Sequence, residues 1–325
     1  MTGIIDSFGR SINYLRISVT DRCNLRCIYC MPPEGVSQMP HSEILSYEEI
    51  QTVVRAAAEL GVSKIRLTGG EPLVRAELPK LVRMLSQIEG IEELSLTTNG
   101  VLLKKYSLEL KKAGLSRVNV SLDTLKPDKS RYITRLGELK TVLDGIEAAK
   151  GVGFESVKIN TVVMRGINDD EVLHFARMTY EDGWHIRFIE LMPFKSVVEF
   201  VPSIELRQHI SLLGTFEPCE SITGNGPAKY YRLAGAKGTI GFISPLTEIS
   251  FCSSCNRMRL TSDGKLRPCL LGEDEIDLKT PLRNNASIDE LKNLILKAVA
   301  SKPEHHNLVG GSARLVNRKM SQIGG

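Results

Sequence analysis

No apolar run in this chain of 325 residues approaches the ~20 needed to cross a bilayer, so a membrane-spanning protein is not expected. The opening residues MTGIIDSFGR carry no basic stretch ahead of an apolar core, so no signal peptide is expected. Charge is nearly balanced. A net value of +4 argues against a general nucleic-acid coat and leaves room for a local basic pocket. No Gly-rich loop ends in Lys-Ser or Lys-Thr, so a nucleotide guest would not be held in the P-loop manner. Internal repeats and low-complexity tracts are missing as well. The seven cysteines are odd in number and fall in groups of three, one and three, which does not read as a disulfide framework. A reducing cytoplasm is therefore the expected compartment. What is present is an ordinary globular composition, 42% hydrophobic and 25% charged, long enough for one large α/β domain and a smaller one.

The chain is organised around Arg16–Met31, RISVTDRCNLRCIYCM. An apolar alternating run leads into Cys23, Cys27 and Cys30 at C-x-x-x-C-x-x-C spacing. Three thiolates this close together can face one iron–sulfur cube and leave one of its four irons open for chemistry. A zinc site is the plainer alternative, but zinc prefers four ligands and no fourth lies near in sequence. The triplet, with Tyr29 inside its last pair, resembles that of the radical S-adenosylmethionine (SAM) superfamily. In that family the open iron chelates the amino and carboxyl groups of SAM.

Strand-like and helix-like segments alternate after residue 13. Strands are expected over Tyr14–Thr20, Lys64–Thr68, Glu93–Thr98, Arg117–Leu122, Ser156–Val163 and His185–Leu191. Helices are expected over Ser46–Leu60, opened by a Ser46/Glu49 capping box, and over Glu77–Ile88, Leu102–Ala113, Leu139–Lys150, Asp169–Glu181 and Ile204–Leu213. Six strand–helix units imply parallel strands with right-handed crossovers, too few for a closed eight-fold barrel. The expected fold is α/β: a partial (βα)6 barrel over residues 1–214, with a smaller α+β domain over 215–325 covering its open side. In that second part Lys229–Leu233 and Thr239–Ile243 read as short strands and Asn256–Leu271 as a hairpin turning at Asp263–Gly264. A helix is expected from Ser287 as N-cap to Ala300.

Ligands of parallel α/β folds bind at the carboxyl ends of the strands. The unusual residues gather there: the cysteines, Thr68-Gly-Gly-Glu-Pro72, Thr97-Thr-Asn-Gly100, Ser121-Leu-Asp123, Lys158 with Asn160, and Glu190-Leu-Met-Pro193. Gly69 and Gly70 are expected to let backbone approach a ligand closely. A second triplet, Cys252, Cys255 and Cys269, flanks the run Asn256-Arg-Met-Arg259. On spacing alone it fits a zinc ribbon completed by Cys219 or a histidine, or a second open cluster facing the first across the barrel mouth. Two arginines beside it could grip a polyanion, and Arg16, Arg66 and Lys158 on neighbouring strands would enlarge that basic pocket if they point inward. Cys219 reads as a plain thiol, His305–His306 as a solvated connector, Trp184 as packing, and Lys104–Lys105 with Lys111–Lys112 as a solvated helix face.

Taken with Asp6-Ser-Phe-Gly-Arg10, Ile189-Glu-Leu-Met-Pro193 and the final Gly324–Gly325, these stretches make the chain similar, nearly end to end, to the GTP 3′,8-cyclases. These radical SAM lyases convert GTP to (8S)-3′,8-cyclo-7,8-dihydroguanosine 5′-triphosphate, the first step of molybdenum cofactor biosynthesis. The resemblance implies two 4Fe–4S clusters and SAM as cofactors. It places the SAM-cleaving cluster on Cys23, Cys27 and Cys30, and the auxiliary cluster, whose open iron meets guanine, on Cys252, Cys255 and Cys269. It implies a SAM site at Tyr29, Gly70, Ser121 and Met192, and GTP contacts from Arg16, Arg66, Thr97, Lys158, Arg257, Met258 and Arg259. Arg257, Arg259, Gly324 and Gly325 are implied as catalytic, the Gly-Gly tail reaching into the active site. An external low-potential electron donor, a following enzyme that takes the product, and a homodimer are the partners it suggests; neither nucleic acid nor membrane is expected. The other readings are a radical SAM peptide-modifying maturase with an auxiliary cluster, and a non-catalytic iron–sulfur or zinc protein.

Overall fold

A computed structural model describes residues 3–192, 199–220, 223–306, 318 and 320–323. The chain opens with a hairpin, β1 (Ile4–Ile5) and β2 (Ser11–Ile12), in a stretch where no element was expected. The expected alternation then follows: β3 (Tyr14–Ser18), α1 (Tyr47–Glu59), β4 (Lys64–Thr68), α2 (Leu78–Ser86), β5 (Glu93–Thr98), α3 (Leu103–Lys112), β6 (Arg117–Ser121), α4 (Pro127–Thr134), α5 (Leu139–Gly151), β7 (Val157–Val163), α6 (Val172–Glu181), β8 (His185–Glu190) and α7 (Ser203–Ser211). Helix α4 is an addition; Pro127 sits in its first turn, where a missing N–H costs nothing. The helix expected from Asp169 begins instead as a 3-10 turn over Asp169–Glu171.

Alternation of side chains explains why these strands sit between core and cavity. Leu15, Ile17, Ile65, Leu67, Leu94, Leu96, Val118 and Val120 point to the helix layer and are buried in one continuous core. Full burial of each such side chain contributes about 1.5–3 kcal/mol. The intervening residues, Arg16, Arg66, Ser95, Thr97, Asn119 and Ser121, take the opposite face. The Ser46/Glu49 capping box closes the start of α1, with the Ser46 hydroxyl accepting the Glu49 N–H at 3.1 Å and the Glu49 carboxylate accepting the Ser46 N–H at 2.7 Å.

The remaining elements are β9 (Phe216–Cys219), β10 (Lys229–Leu233), β11 (Thr239–Ile243), β12 (Arg257–Leu260), β13 (Lys265–Arg267), β14 (Ile276–Asp277), α8 (Lys279–Arg283), α9 (Ile288–Ala300) and α10 (Met320–Ile323). The carboxy-terminal segment meets the open side of the barrel by extending the same sheet at both edges. The order is β14-β13-β12-β3-β4-β5-β6-β7-β8-β11-β10-β9. Strand β12 is parallel to β3 and β11 is parallel to β8, so among the described residues the parallel strands number eight although only six come from the first part of the chain. The division expected at 214 falls in the turn between α7 and β9.

Candidate active site

All six clustered cysteines line one cavity of about 320 Å³. Cys23, Cys27 and Cys30 follow β3, Cys252 and Cys255 precede β12, and Cys269 follows β13. Within each trio the thiols are near neighbours. Burial and then Asp123 hold Cys27 well above the ordinary thiol range, with Cys30 and Cys23 adding to the effect. Cys252 is raised by burial, and also by Cys269 and Cys255. Cys30 is pushed up to about 12 by burial, then by Cys23. Cys255 goes the other way: burial opposes its ionisation, but the charges of Arg257 and Lys302 outweigh that and bring it to about 7. None of the six is in a disulfide.

The expectation that the second trio faces the first across the barrel mouth needs correcting. Because β12 runs parallel to β3, the residues before β12 lie at the end of the sheet opposite the residues after β3. Cys23, Cys27 and Cys30 thus occupy the carboxyl end of the barrel and Cys252, Cys255 and Cys269 the amino end. They look at each other down the bore. Among the described residues no three His, Cys, Asp or Glu side chains close around a single-ion position. A four-iron cube is gripped at its corners, so its thiolates stand further apart than the ligands of one ion.

Between the trios runs a row of arginines. The register places Arg267 beside Arg259, Arg259 beside Arg16, and Arg16 beside Arg66 on four adjacent strands, all on one face. Like charges directly opposed in a sheet destabilise it. Burial and then Arg259 and Arg66 hold Arg16 well below the usual guanidinium range. Burial, then Arg257, lowers Arg259 to about 10. Burial lowers Arg66 to about 10, and Arg117 and Arg187 add to the shift. Tyr14, beneath Arg66, shows the same field: burial would raise its phenol, but Arg66, Arg117 and Arg16 pull it down. Arg267 is balanced by an ion pair to Glu275, and Arg117 by one to Glu93. The field between the trios is suited to a polyanion.

Tyr29, Gly70, Ser121 and Met192 line the cavity, as do Arg16, Arg66, Thr97, Arg257 and Arg259. Met258 does not; it points to the helix layer and is 1% exposed in the core. Lys158 stands on the inward face of β7, beside Asn119 and in line with Asn160, which lines the cavity. Its ammonium donates to Thr223 O at 2.7 Å and to the Tyr230 hydroxyl at 3.3 Å, and burial brings it to about 8. Gly324, Gly325 and Pro193 lie outside the described residues, but Met320 and Ser321 form part of the cavity wall, and the Ser321 N–H meets the Cys30 thiol.

The two glycines of Thr68-Gly-Gly-Glu-Pro72 line the cavity and also answer a need within the chain. A Cβ on Gly70 would lie 2.3 Å from Arg22 O, and one on Gly69 would lie 2.4 Å from Thr20 O. Their absence lets this loop run against Thr20–Arg22, where the Gly70 N–H donates to Thr20 O and the Glu71 N–H to Arg22 O, both at 2.8 Å. The loop thereby buttresses the base of the cysteine loop.

Several residues with no role assigned from the sequence emerge here. Glu71 is buried and pushed up to about 7 by that burial; it accepts from the Thr98 hydroxyl (2.7 Å) and the Asn99 N–H (2.7 Å). Asn99 in turn donates to Asn24 Oδ1 at 2.8 Å, beside Cys23. Asp123, pushed up to about 6 by burial, accepts from the Tyr29 hydroxyl at 2.8 Å and the Val162 N–H at 2.9 Å. Arg187 projects into the cavity and donates to Asn119 Oδ1. His306 is no solvated connector: it is buried, lines the cavity and bonds Pro245 O through Nε2 at 2.7 Å, whereas His305 is exposed. Trp184 is packed in the core, as expected. The polar or glycine-bearing strand ends at Thr68–Pro72 and Ser121–Asp123 gave a signal for Glu71 and Asp123; nothing local marked Arg187 or His306.

The Radical SAM superfamily model matches residues 17–179 and the Molybdenum Cofactor Synthesis C model matches residues 184–308. A GTP 3′,8-cyclase of Pelotomaculum thermopropionicum is 54% identical over 98% of this chain and 99% of its own length. One from Moorella thermoacetica is 53% identical over 98% and 99%. Among solved structures, Streptococcus suis SuiB bound to SAM shares the fold at a TM-score of 0.61 and 15% identity, covering 88% of this chain and 68% of that one. Native anSMEcpe with bound AdoMet matches at 0.56 and 15%, covering 90% and 81%.

Proposed function

The chain belongs to the GTP 3′,8-cyclase family of radical SAM enzymes, and from that premise we propose how its cavity divides the work. The protein converts GTP to (8S)-3′,8-cyclo-7,8-dihydroguanosine 5′-triphosphate, the first step of molybdenum cofactor biosynthesis, with two 4Fe–4S clusters and SAM. Cys23, Cys27 and Cys30 hold the cluster that binds SAM, with Tyr29, Gly70, Ser121 and Met192 around it. Cys252, Cys255 and Cys269 hold the auxiliary cluster. Three thiols at each end suit a cube with one iron left for a ligand. Bound at the first trio, the cluster and SAM would supply the radical chemistry that removes a hydrogen atom from the ribose.

The residues of this chain supply placement. Arg16, Arg66, Arg257 and Arg259 neutralise and orient the triphosphate, with Thr97 on the neighbouring strand. The auxiliary end receives the base, so the ribose is held between fixed points. A radical takes whichever hydrogen is nearest, so clamping both ends of the substrate selects the 3′ position. Asp123 fixes the Tyr29 ring against the SAM end, and apolar Val162, Leu191 and Ile243 on the walls exclude water. Lys158 adds a cation from the inward face of β7, and Met258, with its side chain in the core, holds β12 between Arg257 and Arg259. Gly324 and Gly325, which lie outside the described residues, take part in turnover. The division at 214 separates the SAM-cleaving part from the part that carries the auxiliary trio. Electrons come from an external low-potential donor and the product passes to a following enzyme; seven cysteines free of disulfides favour a reducing cytoplasm.

The observation that carries this reading is the arginine row lying between two cysteine trios in one cavity. Anaerobic incubation of the iron-loaded protein with SAM, GTP and a reductant tests it. 5′-Deoxyadenosine and a cyclised guanosine triphosphate are expected in equal amounts. Guanine-independent SAM cleavage with no new nucleotide would overturn the assignment of the GTP site.

A further inference from the structure

The sequence Asp6-Ser-Phe-Gly-Arg10 has no part in the chemistry above, yet every residue in it makes a specific contact. It forms the loop between β1 and β2. Asp6 Oδ1 accepts the N–H groups of Phe8 and Arg10, both at 2.9 Å, and Asp6 O accepts the Gly9 N–H at 3.1 Å. Gly9 sits at φ +77°, a conformation that favours glycine. Ser7 Oγ donates to Ala300 O at 3.2 Å, the end of α9. The Phe8 ring lies under the Arg10 guanidinium, 5.2 Å from its carbon.

The loop thus presents one buried guanidinium in a fixed pose. Arg10 Nε donates to Asp6 Oδ2 at 2.6 Å. Its Nη1 donates to Cys252 O at 3.0 Å and to Glu304 O at 2.9 Å, and its Nη2 donates to Pro303 O at 2.7 Å. The segment 302–306 that it grips also brackets the second trio. Lys302 donates to Arg257 O at 2.9 Å and Pro268 O at 2.6 Å, two residues after Cys255 and one before Cys269. The His306 N–H meets the Cys252 thiol. A planar fork held at one edge by a carboxylate can join three carbonyls from two chain segments; a lysine ammonium on the same stem cannot reproduce that geometry.

We propose that Arg10, oriented by Asp6, is a positioning residue for the auxiliary-cluster site, tying Cys252 to the segment 303–304 so that the Cys252–Cys255 loop is held in its ligating shape before iron arrives. This rests on the reading that Cys252, Cys255 and Cys269 hold a cluster. The mechanism differs from general stabilisation because the contacts fall on one trio and none on Cys23, Cys27 or Cys30.

The test uses the full chain, anaerobically reconstituted, as Arg10→Gln, Arg10→Lys and Asp6→Asn, with Cys252→Ser as reference. Iron and sulfide content, the electron paramagnetic resonance spectrum of the reduced protein and SAM cleavage are measured. Cys252→Ser is expected to fall from about eight irons to about four, and Arg10→Gln is expected to approach it. Arg10→Lys and Asp6→Asn should keep more iron but alter the auxiliary signal, while SAM cleavage persists in all. Wild-type iron and spectra in the Arg10 and Asp6 variants would overturn the proposal, as would loss of both clusters together, which would make Arg10 a residue of the general fold. Full iron in Cys252→Ser would instead remove the underlying ligand assignment, and the role of Arg10 with it.

Discussion

Replacing Arg259 by methionine should make the protein more stable and a poorer binder of GTP. Arg259 is 7% exposed and shares its face of the sheet with Arg16 on β3 and Arg267 on β13. Burial, and then Arg257, lower its pKa from 12.5 to about 10. At about 1.36 kcal/mol per unit, holding it charged at pH 7 costs the fold about 3 kcal/mol. The sign follows from linkage. A base with a depressed folded pKa binds its proton less well when folded, so the cost is complete below pH 10 and is lifted as pH rises from there towards 12.5. Methionine fills similar volume without charge and also relieves Arg16. Loss of contacts to neighbouring thiols offsets part of the gain, leaving about 1–3 kcal/mol, within the about 1–4 kcal/mol seen when apolar residues replace buried ion pairs. At about 2.1 cal/mol/K per residue, 325 residues give an unfolding entropy near 0.7 kcal/mol/K, so the Tm should rise by about 2–4 °C. A charge-assisted hydrogen bond to the triphosphate is worth about 1.5–3 kcal/mol, so GTP should bind about 10–150-fold more weakly. Scanning calorimetry of the iron-free protein reads the Tm, and GTP titration of the iron-loaded protein, without oxygen, reads the affinity. A lower Tm together with unchanged GTP affinity would refute the idea that the row stores repulsion for an anion to relieve.

Gly70→Ala puts a Cβ 2.3 Å from Arg22 O, and both partners are backbone, so the cysteine loop must shift; iron at the first site should fall to under half, measured as iron per chain after reconstitution. Full iron with wild-type SAM binding would show that the close approach is not needed. Arg318 donates to Asp263 (3.0 and 2.9 Å) and Glu275 (2.5 and 2.8 Å) just ahead of Met320 and Ser321 in the cavity wall. Arg318→Ala should lower kcat at least about tenfold while shifting Tm by no more than about 2 °C, since partly exposed ion pairs add little stability. Wild-type kcat would remove the anchoring role. His185 is held neutral to about pH 4, chiefly by burial and then by Lys158. Between pH 6.5 and 4 the unfolded chain takes up a proton that the folded chain refuses, so stability falls as the pH drops. The loss is at most about 3 kcal/mol and smaller because the ring is partly exposed. His185→Asn should flatten that slope in a Tm-against-pH series, and an unchanged slope would assign the acid sensitivity elsewhere.

The order of elements was legible because it depends on local periodicity. Strands β4, β5, β10 and β11 fall where alternation placed them, and the capping boxes at Ser46 and Ser287 mark two helix starts. The cysteine trios were legible because clustered ligands are a local pattern. The conformation of the β1–β2 loop was not foreseen: residues 1–13 offer only short polar and glycine-containing stretches, and two-residue strands leave no periodic trace. His306 was misread because a histidine after Lys-Pro looks solvated until a distant carbonyl, Pro245 O, comes to meet it.

The sequence by itself therefore determined which cysteines and arginines are available for metal and anion, and which face of each strand they share, since both follow from spacing along the chain. The tertiary structure alone decided that the two trios sit at opposite ends of one bore. It also decided that Arg259 lies beside Arg16, that Met258 turns into the core, and that Arg10 reaches Cys252. Those outcomes depend on the parallel pairing of β12 with β3 and on carbonyls more than 240 residues away. No local propensity encodes a pairing between segments so far apart; it is set by how the whole sheet closes.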